Sequence, residues 1–164
     1  MENFNWTTFT KRIAVNSTLS KIYNAWTKAE EIEKWFLSKA IFLNFDKSPV
    51  PVTESIQGGQ TYAWNWYAQE FTETGDILEA NGRDLIQFSF AGQCIVEVRL
   101  IENKNFIEVE LTQKNIPTDD NSKQNIRLGC DSGWSFYLVN LKSVYEGGLD
   151  LRNKSTEFRT MINN

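Results

Sequence analysis

Gly129-Cys-Asp-Ser-Gly-Trp-Ser-Phe-Tyr-Leu-Val-Asn-Leu-Lys-Ser-Val-Tyr-Glu-Gly-Gly-Leu-Asp-Leu-Arg152 reads as one C-terminal helix punctuated at both ends. Asp131 is the expected N-cap, because a carboxylate there accepts hydrogen bonds from the free N–H groups of the first turn. Gly147 and Gly148 are the expected left-handed stop. Between them Trp134, Leu138, Leu141 and Tyr145 recur at spacings of four, three and four. That spacing places them on one stripe, which Tyr137 and Val144 widen. A helix of about 15 residues is roughly 22 Å long. Its stripe needs an apolar surface of similar length, and the strands of the middle of the chain can supply one.

Those strands show in period-two alternation. Thr7–Val15 puts Phe9, Ile13 and Val15 on one face and Thr10 and Arg12 on the other. Lys39–Phe45 follows, then Gln60–Tyr67, where Tyr62, Trp64 and Trp66 share a face opposite Ala63 and Asn65. Phe71–Ala80 is a further strand, interrupted near Gly75. Leu85–Phe90 presents Ile86, Phe88 and Phe90; Cys94–Glu102 presents Cys94, Val96, Val98 and Leu100. A three-residue loop, Ala91–Gln93, sets Phe88 against Val96 and matches the inner faces, whereas a two-residue loop would set Phe88 against Ile95 and mix them. Phe106–Thr112 after a two-residue turn at Asn103–Lys104 predicts Val98 opposite Val109, Leu100 opposite Ile107 and Arg99 opposite Glu108. The last would be an exposed ion pair contributing at most about 1 kcal/mol. Glu97 and Glu110 meet in that register, a carboxylate pair read as mild repulsion on a wet face rather than acid–base machinery.

Ser17 is the expected cap of a helix running to Thr27, with Leu19, Ile22, Tyr23 and Trp26 as its stripe. A second short helix, Ala29–Trp35, has an acidic first turn and turns Ile32, Trp35 and Phe36 inward, so the two form an elbow. Asp46–Gly59 holds two of the three prolines and reads as a loop. Asn115–Arg127 reads as a mobile polar connection. One domain, 1–164, is expected, with its core at about 9–152 and a polar tail at 153–164.

Composition narrows the function. A chain of 164 residues with 41% apolar and 23% charged residues can fold without a disulfide or metal. Net charge −4 with no basic run argues against nucleic acid and anionic membranes as partners. No stretch approaches the ~18 apolar residues of a membrane span. The first ten residues lack a signal peptide's charged start and apolar run. A cytoplasmic location is therefore expected, with Cys94 and Cys130 as free thiols. Histidine is absent, which removes Ser-His-Asp and Cys-His nucleophile systems and histidine metal sites. No cofactor is expected either, since Gly58-Gly59 lacks the spacing of a phosphate-binding loop. Six Trp, five Tyr and eleven Phe are core material first, and they can also wall a ligand cavity.

The order strand, helix elbow, six strands, long helix resembles the helix-grip fold of the START and birch-pollen-allergen superfamily, also called SRPBCC. Two motifs sharpen the likeness: Val15-Asn-Ser-Thr-Leu-Ser-Lys-Ile-Tyr-Asn-Ala-Trp-Thr27 followed by Trp35-Phe36, and Gly133-Trp134 through Leu138, Leu141-Lys142 and Glu146-Gly147. Both are similar to the branch related to the activator of the heat-shock protein 90 kDa ATPase. The resemblance spans Phe9–Arg152; where many relatives carry proline at the first helical position, this chain has Thr18. It implies an α+β fold in which a curved antiparallel sheet of about seven strands wraps around the long C-terminal helix, with a two-helix elbow after the first strand. The superfamily holds lipid carriers, hormone receptors, cyclases and chaperone partners, so function has to come from the site.

The leading expectation is a small hydrophobic or amphipathic ligand between sheet and helix. The candidate contacts are Trp64, Trp66, Phe88, Val98, Val109, Trp134, Leu138 and Leu141, although core filling is the favoured reading of any one of them taken singly. Asn65, Gln113 and Asp131 are polar anchors only if they face inward. A cavity of ~300 Å³ or more would favour this reading, and a filled core would count against it. The alternative is a protein-interaction or chaperone-cofactor module in the stress response, using Phe136 and Val139 on the outer face of the helix. An enzyme using the same cavity ranks third, because no acid–base pair or nucleophile is recognisable.

Overall fold

Seven strands form one antiparallel sheet in the order β1-β7-β6-β5-β4-β3-β2, as seen in a computed structural model that describes residues 4–164. The reading of the first ten residues as lacking a leader includes 1–3, which lie outside the described residues. The strands are β1 (Phe9–Val15), β2 (Lys39–Leu43), β3 (Thr61–Asn65), β4 (Glu73–Ala80), β5 (Leu85–Phe90), β6 (Cys94–Glu102) and β7 (Ile107–Lys114). The elbow between β1 and β2 is α1 (Leu19–Thr27) and α2 (Ala29–Ile32). Thr18, not Ser17, caps α1, its hydroxyl accepting from the Lys21 N–H at 3.4 Å. The buried stripe of α1 is Ile22, Tyr23, Ala25 and Trp26, with Leu19 half-buried at its end. The α+β helix-grip architecture expected from the sequence is the architecture observed.

Alternation fixes each inner face. The Ala91–Gln93 loop pairs Phe88 with Val96 and Ile86 with Val98, as the face-matching argument required. The β6–β7 register differs from expectation by two residues: Val98 lies opposite Leu111, Leu100 opposite Val109 and Arg99 opposite Glu110. The cause is the turn. The chain reverses over residues 103–106, closed by the Asn103 N–H donating to the Phe106 carbonyl, so β7 starts at Ile107. A slip of two preserves every face. Glu97 therefore faces Thr112, and the carboxylate pair with Glu110 does not form. Glu110 instead accepts from Arg12 on β1 at 2.6 Å, and Arg99 bonds Glu97 on its own strand. The irregularity in β4 falls between Ile77 and Glu79 rather than at Gly75. Gly75 is required for space, since a Cβ there would lie 2.6 Å from the Tyr62 and Ser89 side chains.

The long helix begins earlier than its apolar stripe suggests. Asp119 is the cap, accepting from the Ser122 N–H at 3.0 Å. Helical backbone then runs through α3 (Asp120–Ser122), a π-helical segment at Lys123–Leu128, and α4 (Gly129–Tyr145). The segment read as a mobile connection is thus largely helix. Asp131 lies inside it and pairs with Lys11 at 2.6 Å and Arg127 at 2.9 Å. Burial pushes its carboxyl up, but hydrogen bonds from Lys11 and Arg127 outweigh that and hold it below the usual range. Gly147 supplies the left-handed stop at φ +82°; Gly148 does not, though a Cβ there would meet the Ser143 carbonyl oxygen at 2.8 Å.

Beyond the helix the chain folds back onto the elbow through buried polar groups. Asn140, wholly buried, donates to the Trp35 carbonyl at 2.7 Å and accepts from the Leu151 N–H at 2.7 Å. Arg152 donates to the carbonyls of Leu37 and Glu33 and to both oxygens of Asp150. Burial pushes the Asp150 carboxyl up, yet its hydrogen bonds from Arg152, Lys154 and Asn140 prevail and hold it far below the ordinary value.

Candidate functional site

The ring ladder on β3 leads from a filled interior to an unfilled edge. Tyr62 and Trp64 stack with centroids 3.9 Å apart, and Trp64 meets Phe88 edge-on at 5.2 Å and Phe36 at 5.7 Å. Six of the eight residues expected at a ligand site belong to this packed interior. Trp64, Phe88, Val98, Val109, Leu138 and Leu141 are buried and none of them borders the aromatic pocket that Trp66 and Trp134 line, although Trp134 is as buried as they are at 2% and Trp66 is 7% exposed. Their inward direction follows from alternation and helical spacing.

The other two, Trp66 and Trp134, come together at the open end of the grip. There they line a pocket of about 220 Å³ with Phe36, Phe71, Phe90 and Tyr137. Gln69, Glu73, Ala91, Cys130 and Gly133 complete the wall. The pocket is smaller than the ~300 Å³ set as the mark of a drug-sized cavity. It also lies at the mouth, where the residues after β3, the β5–β6 turn and α4 meet, rather than midway between sheet and helix. Phe36 is its hub, stacked on Trp134 at 5.0 Å and edge-on to Trp66 at 5.4 Å and Tyr137 at 4.9 Å. A recess of about 520 Å³ beside α1 is larger, but the hydroxyl of its one aromatic, Tyr23, already accepts from the Gly82 N–H at 2.7 Å.

None of the three polar side chains expected as anchors lines the mouth. Asn65 points away from it and donates to Thr72 Oγ1 at 2.8 Å, bracing the loop that carries Phe71. Gln113 is wholly buried behind Trp134, whose indole N–H donates to Gln113 Oε1 at 3.0 Å; Gln113 Nε2 has no hydrogen-bond partner. Asp131 is committed to Lys11 and Arg127 and is not part of the wall. Glu73 is the functional candidate that sequence reasoning missed. Its Oε1 accepts from the Ala91 N–H at 2.7 Å, which pins a turn where Ala91 and Gly92 adopt φ of +53° and +84°. The available signal was its position: Glu73 shares the inner face of β4 with Gly75 and Ile77, where a carboxylate needs a reason.

The thiols are free, Cys94 buried and Cys130 half-buried at the pocket wall, and both lie beside the Gln113 amide. Burial pushes the Cys130 thiol up to about 11 and raises that of Cys94 as well. Both are protonated at neutral pH and therefore poor nucleophiles. Phe136, expected on an outer partner face, is half-buried against Tyr137 with centroids 5.1 Å apart, while Val139 is half exposed. Among the described residues no three His, Cys, Asp or Glu side chains group to hold a metal, and no helix is long and apolar enough to cross a membrane. The mouth offers aromatic faces and one carboxylate, an arrangement suited to holding a flat apolar body.

A family profile described as activator of Hsp90 ATPase homolog 1-like protein matches residues 16–146. No curated protein matches the sequence significantly. Protein SSP2350 of Staphylococcus saprophyticus has a similar structure, with a TM-score of 0.70 at 20% identity over 88% of this chain and 96% of that one. The Aha1 dimer of Colwellia psychrerythraea aligns with a TM-score of 0.67 at 18% identity, over 86% and 97% of the two chains. CalU16 of Micromonospora echinospora aligns with a TM-score of 0.64 at 19% identity, over 88% and 77%. At these identities the likeness speaks to the fold.

Proposed function

This chain belongs to the activator of Hsp90 ATPase homolog 1-like family, and from that premise we propose that it binds a small apolar or amphipathic molecule at the aromatic mouth of the grip. One observation carries the reading. Six aromatic side chains converge on a space that they leave unfilled, in a protein whose neighbouring interior is packed. Apolar surface left open to water is costly at about 25 cal/mol per Å², and a guest that covers it recovers that free energy. Trp66 and Trp134 are the contacts retained from the sequence; Phe36, Phe90 and Tyr137 join them. Trp64, Phe88, Val98, Val109, Leu138 and Leu141 act behind them as a rigid floor.

Native mass spectrometry of freshly purified protein, with organic extraction of the same sample, tests the reading. A stoichiometric adduct that is lost on denaturation, and that Trp66→Ala does not retain, is the expected result. A clean mass, together with no change in tryptophan fluorescence across a panel of small aromatics, would remove the support for a binding role.

A second reading, a protein-interaction module, draws on half-exposed Val139 on the outer face of α4 and on the relative solved as an Aha1 dimer. Val139→Glu should then weaken self-association or partner capture without touching the pocket.

A further inference from the structure

The charge inside the mouth is one-sided. Among the described residues, Glu73 is the only carboxylate or base in a wall otherwise made of aromatic rings, a glutamine, an alanine, a glycine and a thiol. One of its oxygens is held by the Ala91 N–H, while Oε2 has no hydrogen-bond or ion-pair partner among the described residues. No cation lines this wall, and several cations of the C-terminal segment are already engaged. Arg152 and Lys154 pair with Asp150 at 2.7 and 2.9 Å, and Arg159 pairs with Glu70 at 2.9 Å. A ring presents its negative face to a cation, Trp most strongly, and the attraction grows when water is excluded. A carboxylate with a free oxygen beside such rings adds a directed charge.

From this juxtaposition we propose that the mouth selects ligands bearing a protonated amine or alkylated ammonium on an aromatic or short apolar body. The inference rests on the binding role proposed above and sharpens it. In this arrangement the body lies against Trp66, Phe36 and Trp134 and the cationic head reaches Glu73 Oε2. An anionic head would face an unpaired carboxylate and find no cation in the wall.

The test uses three probes with one body and different heads: phenethylamine, phenethyl alcohol and phenylacetate. Each is titrated into the full chain at neutral pH while the indole N–H resonances of Trp66 and Trp134 are followed by NMR. The expected order is amine, alcohol, carboxylate, with the amine about tenfold tighter than the alcohol. Glu73→Gln keeps an acceptor for the Ala91 N–H and removes the charge, so it should bring the amine down to the alcohol. Alcohol binding as tightly as amine in the wild-type protein would overturn the cation preference and leave the binding role intact. No shift of either indole with any probe would overturn both. The wild-type order decides the question even if Glu73→Gln fails to fold.

Discussion

Trp64 and Trp66 are two residues apart on one face of one strand run, yet they serve regions built in opposite ways. Trp64 lies in a floor where every neighbouring ring finds a partner and exposure falls to 1%. Trp66 lies at the lip, where the strand has ended, the chain turns through Ala68 at φ +56°, and the rings surround a gap. The same residue type in the same alternation is enclosed in one place and borders a pocket in the other. What separates them is coverage by α4 and the loops, and the period of the strand does not contain that.

The largest effect should come from the floor. Trp64→Ala should cost about 3–5 kcal/mol in urea unfolding, against about 2 kcal/mol for Trp66→Ala, which enlarges a space that already exists. Equal losses would mean that the lip is packed as tightly as the floor. The next effect tests what holds the lip from behind. Arg152 lies over the Tyr67 ring at 5.2 Å and satisfies two carbonyls of the elbow. Arg152→Ala should cost about 3 kcal/mol, because it strands the carbonyls of Leu37 and Glu33 and leaves Asp150 with only Lys154 and Asn140. A loss below about 1 kcal/mol would show that this anchor contributes little.

Acid should loosen the same anchor. The folded Asp150 carboxyl lies below its unfolded value of about 3.9, so its contribution is fully present above that pH and fades as pH falls through the folded value. Asp131 and Glu97 are shifted in the same direction. Stability should therefore fall below pH ~4, and Asp150→Asn should flatten the slope without abolishing it. An unchanged slope would locate the acid sensitivity elsewhere. Smaller again is Phe71→Ala at the rim: 52% exposed, it should cost under about 1 kcal/mol of stability while weakening any ligand that the mouth holds. Smallest is Val139→Glu on the outer face of α4, expected within about 0.5 kcal/mol of wild type by thermal unfolding.

Much of the fold was legible because burial imposes a period. The inner faces of β3, β5 and β6 followed from alternation, and the Phe88–Val96 pairing followed because the competing loop would have mixed faces. The β6–β7 register was not legible for the same reason, since a shift of two leaves every face unchanged. Residues 119–128 hid their helix because hydrogen bonds of π type do not repeat apolar positions at the α-helical interval. The pocket at the mouth, a candidate site, was half legible. Trp66 and Trp134 were reachable from pattern, while Glu73 required asking why a charge stands on an inward strand position. Asn140, Asp150 and Arg152 meet across the fold without a periodic signature, although an asparagine within the buried stripe of α4 was a clue.

The π segment at Lys123–Leu128 has a further consequence: it sets an angular offset between the two halves of the long helix. Lys123 lies over the Trp6 ring at 5.4 Å and Arg127 over Phe4 at 4.8 Å, so the extra residue aims the first half at the chain preceding β1. Deleting Gln124 would close the wide turn to an α-turn and rotate everything before it by about 100°. Trp134 and the mouth would keep their phase while Lys123 swung off Trp6. One residue of chain length thus indexes the docking of the N-terminal segment separately from the aim of the pocket.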